Sequence, residues 1–444
     1  MNEPVGFAVG AGLRSGHEVL SLCPTCLTTI PGRVLSTAAG VVMKKTCAEH
    51  GAFETLIATD LAAYERMRRS PRLVKLPARF GTPEAKGCPD DCGLCPAHDQ
   101  HTCLAIVEIT TRCNLPCPVC LADATAKGPE LSLVQVLAAL QLLLEAEGGP
   151  VPLQFAGGEP TLHPELLDIV RGARALGFAK MEIDSNGLLL ARDARLAPAL
   201  REAGLTGVYL QFDGLAAGES EFIRGRDLRA EKQAAIANCR DAGLQVVLAV
   251  TVVPGVNDQA LWPLIRYAVD ERLTGINFQS VVLSGRYPPE LLQTKRRFTA
   301  THFMRAIEAQ SGGLLVATDF LPMSCPDPRC GLLAYIVVDR DGGLLPLSRL
   351  VGDERLRRHV ADLSDWDQLL RELGCAEGCD CGDARAKLAA ALEGGEFFSI
   401  GFHGMMDALS FDQERARRCC VHKLTAEGKL MPFCLYNIKY RHEA

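Results

Sequence analysis

The chain has 444 residues, of which 48% are hydrophobic, and its formal net charge at pH 7 is −6. This length suits roughly two to four domains with a sizeable buried core. The negative charge and the lack of any long Lys or Arg block argue against a nucleic-acid partner. The N-terminal segment lacks signal-peptide features, and the longest apolar stretch, 131–144, is too short and too polar to span a bilayer. We therefore expect a cytoplasmic protein with no transmembrane segment.

Six short, β-rich apolar runs alternate with helical patterns through the middle of the chain. The runs are LAIVEIT (104–110), LQFAG (153–157), KMEID (180–184), GVYLQFD (207–213), QVVLAVTVV (245–253) and GINFQSVV (275–282). Strands that alternate with helices predict an α/β fold with a parallel sheet and right-handed crossovers. Six such units predict a partial (β/α)6 TIM-like barrel, with its chemistry at the C-terminal ends of the strands.

Helix and turn signals lie between and after these runs. Ser132 with Gln135 has the pattern of a capping box, His163 begins a second helix that ends at Gly177, and 257–273 is a third. Beyond the barrel, LLAYIVVDRDGGLLPLS predicts a hairpin that turns at 341–343.

The chain contains 19 cysteines in three groups: three at 23–47, seven at 88–120 and eight at 325–434, with Cys239 alone in a helical pattern. In a reducing compartment structural disulfides are unexpected, and an odd count agrees with that. Grouped cysteines of this kind predict metal sites.

A cysteine-rich loop, TTRCNLPCPVCLAD, follows the first strand. Cys113, Cys117 and Cys120 have C-x3-C-x2-C spacing. A cubane cluster needs four thiolates to complete its irons, so three cysteines leave one iron open for S-adenosylmethionine (SAM). The alternative is a zinc knuckle or a structural cluster. Later strand ends carry AGGEPT (156–161), SNG (185–187), QFDG (211–214), IRGR (223–226) and VVPGVND (252–258), in an order that favours the first interpretation.

With these motifs, 106–282 resembles the radical SAM superfamily. The resemblance implies that GGEP meets the SAM amino group. Arg224 would pair with the SAM carboxylate, because a guanidinium matches carboxylate geometry, and VVPGVND would pack on adenine. Val119 departs from the family, many members of which have an aromatic residue there. The cofactor-binding residues predicted in this way are Gly157, Gly158, Glu159, Pro160, Ser185, Asn186, Gln211, Asp213, Arg224 and Val253.

Two further metal sites are predicted upstream of this loop. Cys88, Cys92 and Cys95 repeat the spacing of the loop, and Cys103 supplies a fourth thiolate, so we expect a fully ligated auxiliary [4Fe–4S] cluster, with zinc as the alternative. Nearer the N-terminus, a knuckle suits one tetrahedral zinc or iron, with a histidine or a distant cysteine as fourth ligand. Its candidate ligands are Cys23, Cys26, Cys47 and His50.

The C-terminal cysteines are candidates for a second auxiliary cluster. These are Cys325, Cys330, Cys419, Cys420 and Cys434, of which only one of the adjacent pair is expected to ligate. CAEGCDC, with Cys375, Cys379 and Cys381, is either another site or a set of thiols without a role. The predicted domains are a metal-knuckle region at 1–83, the barrel with its adjoining cluster loop at 84–290, and an iron–sulfur and substrate-covering region at 291–444.

The complete set of motifs resembles a multi-cluster family that includes archaeal tetraether lipid synthase and dihydro-hydroxymethylpterin methyltransferases. CPTC, KKTCAEHG, GCPDDCGLCPAH, RCCVHK and GKLMPFCLYN carry this resemblance. It implies radical functionalisation of an unactivated carbon in a lipid- or pterin-like substrate, with electrons from a flavodoxin or ferredoxin. Gln279, Arg286 and Tyr287 are candidate substrate-side residues.

Two alternatives belong to other classes. RCCVHK also resembles the radical SAM enzyme of arsinothricin biosynthesis, which transfers a 3-amino-3-carboxypropyl group from SAM to arsenite, although Lys423 replaces a third cysteine. A non-enzymatic iron–sulfur electron carrier or zinc-ribbon adaptor would need neither the GGEPT motif nor Arg224.

Overall fold

The computed structural model describes residues 16–294, 296–351 and 395–441. Its N-terminal part is an antiparallel sheet with strand order β1-β2-β3-β4. The strands are β1 (His17–Leu22), β2 (Thr29–Thr37), β3 (Gly40–Cys47) and β4 (Gly51–Ala58), and helix α1 (Leu61–Arg69) follows. Asp60 caps α1 by accepting a hydrogen bond from the Ala63 N–H. A small core that includes Met43 and Tyr64 holds the sheet to the helix.

The middle of the chain forms the predicted parallel sheet. Its strands are β5 (Leu104–Thr110), β6 (Leu153–Gly157), β7 (Met181–Ser185), β8 (Gly207–Gln211), β9 (Gln245–Val252) and β10 (Gly275–Ser280). Neighbours pair in parallel from β5 to β10 in chain order. The six-unit α/β barrel predicted from the sequence is confirmed, with each strand within two residues of its expected bounds.

Helices cover the outer face of this sheet. They are α2 (Leu133–Glu147), α3 (Leu166–Ala175), α4 (Leu188–Arg192), α5 (Leu196–Ala203), α6 (Ala217–Arg224), α7 (Arg229–Asp241) and α8 (Leu261–Asp270), with a 3₁₀ turn at Pro160–Leu162. The capping box of Ser132 and Gln135 is confirmed at the start of α2. The helix expected over 257–273 is shorter, because Asn257 accepts the Val253 N–H in a turn before α8.

The C-terminal region completes both edges of the sheet. Its elements are α9 (Pro289–Thr294), α10 (Ala300–Gln310), a 3₁₀ turn (Ala317–Asp319), β11 (Leu321–Pro322), β12 (Gly331–Val338), β13 (Leu344–Pro346), α11 (Ser348–Val351), β14 (Glu396–His403), α12 (Gln413–Arg417), β15 (Val421–Leu424), β16 (Leu430–Pro432), α13 (Phe433–Leu435) and a π-helical turn (Tyr436–Tyr440).

In this region the hairpin of β12 and β13 forms as predicted. Strand β14 pairs in parallel with β10, and β15 pairs in parallel with β5. The parallel run therefore has eight strands, two of which the sequence did not predict as barrel strands. Within the described ranges, no helix is both long and apolar enough to cross a bilayer.

Side chains alternate along each barrel strand between the helices and the barrel interior, which we call the lumen. On β7, Met181 and Ile183 belong to the core beneath the helices. Glu182 and Asp184 therefore face the lumen, because successive strand residues point to opposite faces. The same alternation brings polar residues from several strands together inside the barrel.

Candidate active site

The three loop cysteines lie together at the C-terminal end of β5. Cys113, Cys117 and Cys120 pack with a small apolar cluster formed by Leu115, Leu188 and Leu228. Burial raises the pKa of Cys113 to about 11 and also raises the pKa of Cys117. Thiols in this setting stay protonated at neutral pH unless a cation holds them as thiolates. Three converging soft ligands of this kind fit an iron–sulfur cluster with one open iron.

Arg286 anchors this loop. Its backbone exchanges two hydrogen bonds with Cys120, at 2.8 and 2.9 Å. Its guanidinium donates to the Cys117 carbonyl at 2.8 Å and to the Ala124 carbonyl at 3.0 Å. Arg286 therefore holds the cluster loop, and its predicted place on the substrate side stays a prediction. Tyr287 follows it and is half-buried.

The GGEP segment joins the ends of the first three barrel strands. A Cβ at Gly157, whose φ is +133°, would lie 2.0 Å from the Thr110 carbonyl oxygen, and one at Gly158 would lie 2.2 Å from the Arg112 carbonyl oxygen. These glycines are thus required for close approach to the backbone that follows β5. Pro160 is buried and begins the 3₁₀ turn.

Glu159 is fully buried and connects this segment to the end of β7. Its carboxylate accepts hydrogen bonds from the Ser185 hydroxyl at 2.8 Å and the Asn186 backbone N–H at 2.7 Å. The Asn186 side-chain amide lies 3.8 Å from the Cys113 sulfur. The GGEP and SNG segments therefore form one hydrogen-bonded unit beside the cluster loop.

Arg224 and Asp213 pair with each other. Two guanidinium nitrogens donate to the Asp213 carboxylate at 2.6 and 3.0 Å. The same guanidinium donates to the Val119 carbonyl at 3.1 Å and the Thr251 hydroxyl at 3.1 Å. Its charge is thus balanced within the protein, and Arg224 ties the cluster loop to β8 and β9. The expected contact of Arg224 with a SAM carboxylate remains a prediction.

A buried lysine that the sequence analysis missed lies under the same network. Lys232 on α7 donates to the Gln211 side-chain oxygen at 2.9 Å and to the Asn186 carbonyl. Burial lowers its pKa to about 8. Beside this network, Val253 is fully buried and packs with Val119 and Ile223 as an apolar wall.

The lumen below the cluster loop is lined by polar side chains. Gln279, predicted on the substrate side, donates to the Tyr209 hydroxyl at 2.5 Å, and Asn277 donates to the same hydroxyl. Glu108 is paired with Lys423 and with Arg441, whose Nη2 lies 2.6 Å from the carboxylate. Of these residues only Gln279 was predicted from the sequence to lie on the substrate side.

The N-terminal knuckle brings its four candidate ligands together. The sulfur and ring-nitrogen atoms of Cys23, Cys26, Cys47 and His50 all lie within 4.8 Å of one another. His50 Nδ1 lies 3.5 Å from the Cys47 sulfur and 3.7 Å from the Cys23 sulfur. This Cys3His set fits one tetrahedral zinc or iron, and the fourth ligand that the sequence left open is placed at His50.

The structure divides the remaining cysteines differently from the expectation. Cys88, Cys92 and Cys95 line one small pocket, which includes neither Cys103 nor Cys325. Cys103 is bonded to Cys325 in a disulfide, with His101 Nε2 at 3.5 Å from the Cys103 sulfur. The expectation that no disulfide forms is therefore contradicted for this pair. Because Cys103, Cys325 and His101 also form a close group of potential metal ligands, the assignment of Cys103 to the first auxiliary cluster stays a prediction.

The reason for this correction is long-range packing. The Cys103 N–H donates to the Cys420 carbonyl at 2.8 Å, which fixes Cys103 at the start of β5. The buried Gln100 side chain donates to the Cys325 carbonyl and brings that segment alongside. Cys103 and Cys325 are 222 residues apart in sequence, so no local pattern reveals their contact.

Cys330, Cys419 and Cys434 form another set of thiols. Burial first, and then the Cys434 and Cys330 thiols, raise the pKa of Cys419 to about 12. Burial also raises the pKa of Cys434 to about 11. Cys420 is buried beside them. The predicted sites at Cys375, Cys379 and Cys381 lie outside the described residues.

One signal could have identified the missed lumen residues. Strands buried between a lumen and a helix layer are normally apolar throughout, but Glu182, Asp184 and Glu108 alternate with apolar residues on β7 and β5. Acidic residues at that period mark the lumen face. Lys423 and Arg441 had no such signal, because β15 and the C-terminal turn join the barrel only in the tertiary structure.

Comparisons with known proteins show which families and structures this chain is similar to. A family model described as the radical SAM superfamily matches residues 107–268, and one described as the HMPTM N-terminal zinc ribbon domain matches residues 17–59. The GTP 3′,8-cyclase of Acaryochloris marina is 34% identical over 37% of this chain and 53% of its own length. A structure of SuiB from Streptococcus suis bound to its precursor peptide covers 48% of this chain and 46% of that chain, with 12% identity and a TM-score of 0.41.

The chain is similar along nearly its whole length to the 7,8-dihydro-6-hydroxymethylpterin dimethyltransferase of Methanocaldococcus jannaschii. The two chains are 32% identical over 486 aligned residues, which cover 96% of this chain and 94% of the relative. Radical SAM proteins use a [4Fe–4S] cluster and SAM, and the assignment of the cluster to Cys113, Cys117 and Cys120 stays a prediction. The chain is a radical SAM enzyme and belongs to the family that contains this pterin dimethyltransferase.

Proposed function

We propose that this enzyme reductively cleaves SAM and uses the radical to functionalise an unactivated carbon of a pterin-like substrate, by methylation or C–C bond formation. The observation that carries the proposal is the 32% identity to a pterin dimethyltransferase across 96% of the chain. The polar lumen supports a pterin-like ring over a lipid, because Tyr209, Asn277 and Gln279 would leave hydrogen-bonding groups unpaired against an alkyl chain.

We assign the cluster to Cys113, Cys117 and Cys120, and SAM to the strand ends around it. When bound, the cluster and SAM supply the electron transfer that breaks a C–S bond and yields the carbon radical. Glu159 orients Ser185 and Asn186, and the Arg224–Asp213 pair holds the loop that carries the thiolates. The other predicted contacts to SAM are those of Gly157, Gly158, Pro160, Gln211 and Val253.

The remaining cysteines support additional metals in this proposal. Cys23, Cys26, Cys47 and His50 would hold one zinc or iron. Cys88, Cys92 and Cys95 would hold one auxiliary cluster, and Cys330, Cys419 and Cys434 a second. We propose that a flavodoxin or ferredoxin supplies the electrons, and that the divisions after residues 83 and 290 separate three domains.

Product analysis tests the reaction. The anaerobically reconstituted enzyme is incubated with SAM, a reductant and 7,8-dihydro-6-hydroxymethylpterin, and nucleosides and pterins are identified by mass spectrometry. We expect 5′-deoxyadenosine and methionine from reductive cleavage of one SAM and, with a second SAM as the methyl donor, a methylated pterin and S-adenosylhomocysteine. If 5′-methylthioadenosine forms instead, the enzyme transfers an aminocarboxypropyl group and the proposal fails.

Substitution of one loop cysteine tests the cluster assignment. We expect Cys117→Ala to abolish SAM cleavage while zinc and the iron of the other centres remain. Cys239→Ala is the matched control, because Cys239 is a buried helical cysteine in the apolar core. Normal turnover in Cys117→Ala would refute the assignment.

A further inference from the structure

An acidic pair in the lumen has no counter-charge bonded to it. Across the described ranges, Asp184 accepts no hydrogen bond and forms no ion pair, and Glu182 accepts one bond, from the Gln154 side-chain amide at 2.8 Å. Burial raises the pKa of Glu182 to about 7 and that of Asp184 to about 6. Both side chains are half-buried, and carboxylates withdrawn from bulk water are normally paired, so this arrangement points to a partner that arrives from outside.

The cations near Asp184 are bonded to other carboxylates. Lys423 and Arg224 both act electrostatically on Asp184. Lys423, however, is bonded to Glu108, and Arg224 is bonded to Asp213 in a two-pronged contact. Neither makes a direct contact with Asp184. The carboxylate of Asp184 therefore presents two free acceptor oxygens to the lumen.

A hydrogen-bond donor lies on the strand beside it. Tyr209 on β8 is the direct register partner of Asp184 on β7, so both side chains face the lumen side by side. The Tyr209 hydroxyl accepts N–H bonds from Asn277 and Gln279. A phenolic oxygen that accepts two bonds still has its own proton to donate. No described residue accepts that proton.

The acceptor oxygens of Asp184 and the donor hydroxyl of Tyr209 complement the edge of one kind of heterocyclic ring. A 2-amino-4-oxopyrimidine ring, as in a pterin, presents two N–H donors (the 2-amino group and N3–H) next to one acceptor (the 4-oxo oxygen). A carboxylate can accept two parallel N–H bonds, as it does from a guanidinium. A tyrosine hydroxyl beside it can donate to the adjacent oxo group.

We propose that Asp184, supported by Glu182, binds the 2-amino and N3–H edge of an aminopyrimidinone substrate while Tyr209 donates to its 4-oxo oxygen. This inference rests on the proposed function and names the residues that select the substrate. It also orients the substrate: Asp184 directly precedes Ser185 and Asn186, and Asn186 lies 3.8 Å from the Cys113 sulfur. The aminopyrimidinone edge is held deep in the lumen, and the rest of the ring extends toward the cluster loop.

A pair of ligands that differ only at that edge tests the proposal. The probes are 6-hydroxymethylpterin, which is fluorescent, and 6-hydroxymethyllumazine, which has an oxo group in place of the 2-amino group. Dissociation constants are measured at pH 8 with the reconstituted full-length enzyme. We expect wild type to bind the pterin roughly 10- to 100-fold more tightly than the lumazine, as for hydrogen bonds to a charged group.

Isosteric variants locate that preference. Asp184→Asn should remove most of it, because an amide offers one acceptor and places a donor against the ligand N–H groups. Tyr209→Phe should weaken binding of both ligands by a similar factor, because both retain the 4-oxo group. Glu202→Gln, an exposed carboxylate on the outer helix α5, is the matched control and should bind as wild type does. Iron content and melting temperature establish that each variant is folded.

The outcomes separate this inference from the proposed function. If wild type binds pterin and Asp184→Asn retains the full preference, or if wild type binds both ligands equally, the inference is wrong and the function stands. If wild type cleaves SAM but binds neither ring, the proposed substrate class is wrong and the inference fails with it. Should Asp184→Asn fail to fold, an unchanged affinity in Tyr209→Phe would overturn the proposed edge contact by itself.

Discussion

Two acidic sites line the same lumen and differ in the charges bonded to them. Glu108 on β5 is bonded to Lys423 and Arg441, which overcome its burial and lower its pKa to about 2. On β7, no cation among the described residues is bonded to Glu182 or Asp184, and burial raises their pKa values to about 7 and 6. Comparable burial thus has opposite consequences, depending on whether a cation is bonded.

This difference distinguishes a carboxylate that stabilises the fold from carboxylates that are available to a ligand. Glu108 holds the C-terminal turn and β15 against β5, so its charge contributes to the fold. Glu182 accepts one hydrogen bond, from Gln154, and Asp184 accepts none from the described residues, so both lower the stability of the fold when ionised. A protein retains carboxylates that lower its stability where a bound ligand compensates their charge.

The largest expected effect comes from removing the structural carboxylate. Glu108→Gln leaves Lys423 and Arg441 buried without a counter-charge, and we expect a loss of about 3 kcal/mol in the free energy of unfolding. Anaerobic urea denaturation at pH 8 measures it, with Glu202→Gln as the control. A loss no larger than that of the control would show that the triad does not hold the barrel edge.

A substitution on β7 is expected to raise the free energy of unfolding instead of lowering it. At pH 8, Glu182→Gln removes an ionised carboxylate that folding has buried, and we expect a gain of about 2 kcal/mol in the free energy of unfolding. Because the pKa of Glu182 is raised in the folded state, the free energy of unfolding of wild type falls as pH rises from about 4.5 to about 7. The gain should therefore vanish near pH 4. Stabilisation that is the same at both pH values would contradict this origin.

The pH dependence of pterin affinity gives a smaller effect. Asp184 is expected to lose its charge as pH falls through about 6, among the neighbouring charges of Glu159, Arg224, Lys423 and Glu108. From pH 8 to pH 5 we expect affinity to fall roughly tenfold, about 1.4 kcal/mol. Fluorescence titration across that range measures it. Asp184→Asn should show little of this change, and an equal fall in that variant would assign the titration to another group.

The smallest effect is expected outside the lumen. Lys44 and Glu54 form an exposed ion pair at 2.8 Å on the N-terminal sheet. Lys44→Ala should change the free energy of unfolding by less than about 0.5 kcal/mol, because solvent screens the pair. The same urea denaturation measures it. A loss as large as that of Glu108→Gln would mean that burial is not what separates the two pairs.

The barrel was predictable because its signals are local. Apolar runs, turns and caps placed β5 to β10 within two residues, and C-x3-C-x2-C placed three thiols in one loop. Contacts made by distant segments were not predictable in the same way. Strands β14 and β15 lie far along the chain from β10 and β5, and the Cys103–Cys325 bond spans 222 residues.

Individual site residues show the same division between local signals and long-range contacts. Arg224 and Asp213 were both predicted as cofactor-binding residues, but the sequence did not show that they pair with each other. Arg286 was placed near substrate, whereas its donors reach the carbonyls of Cys117 and Ala124. The type of a residue shows that its charge needs a counter-charge, but it does not identify the group that supplies it.

The amino-acid sequence by itself determined the parallel α/β barrel, the three-thiolate loop and the strand-end segments around it, because hydrophobic period and ligand spacing act within a few residues. Only the tertiary structure decided which cysteines meet, that His50 lies beside the three knuckle cysteines, and which lumen carboxylates have no cation bonded to them among the described residues. Those outcomes depend on where distant segments pack, and the strength of an electrostatic interaction follows distance in space and burial rather than position along the chain.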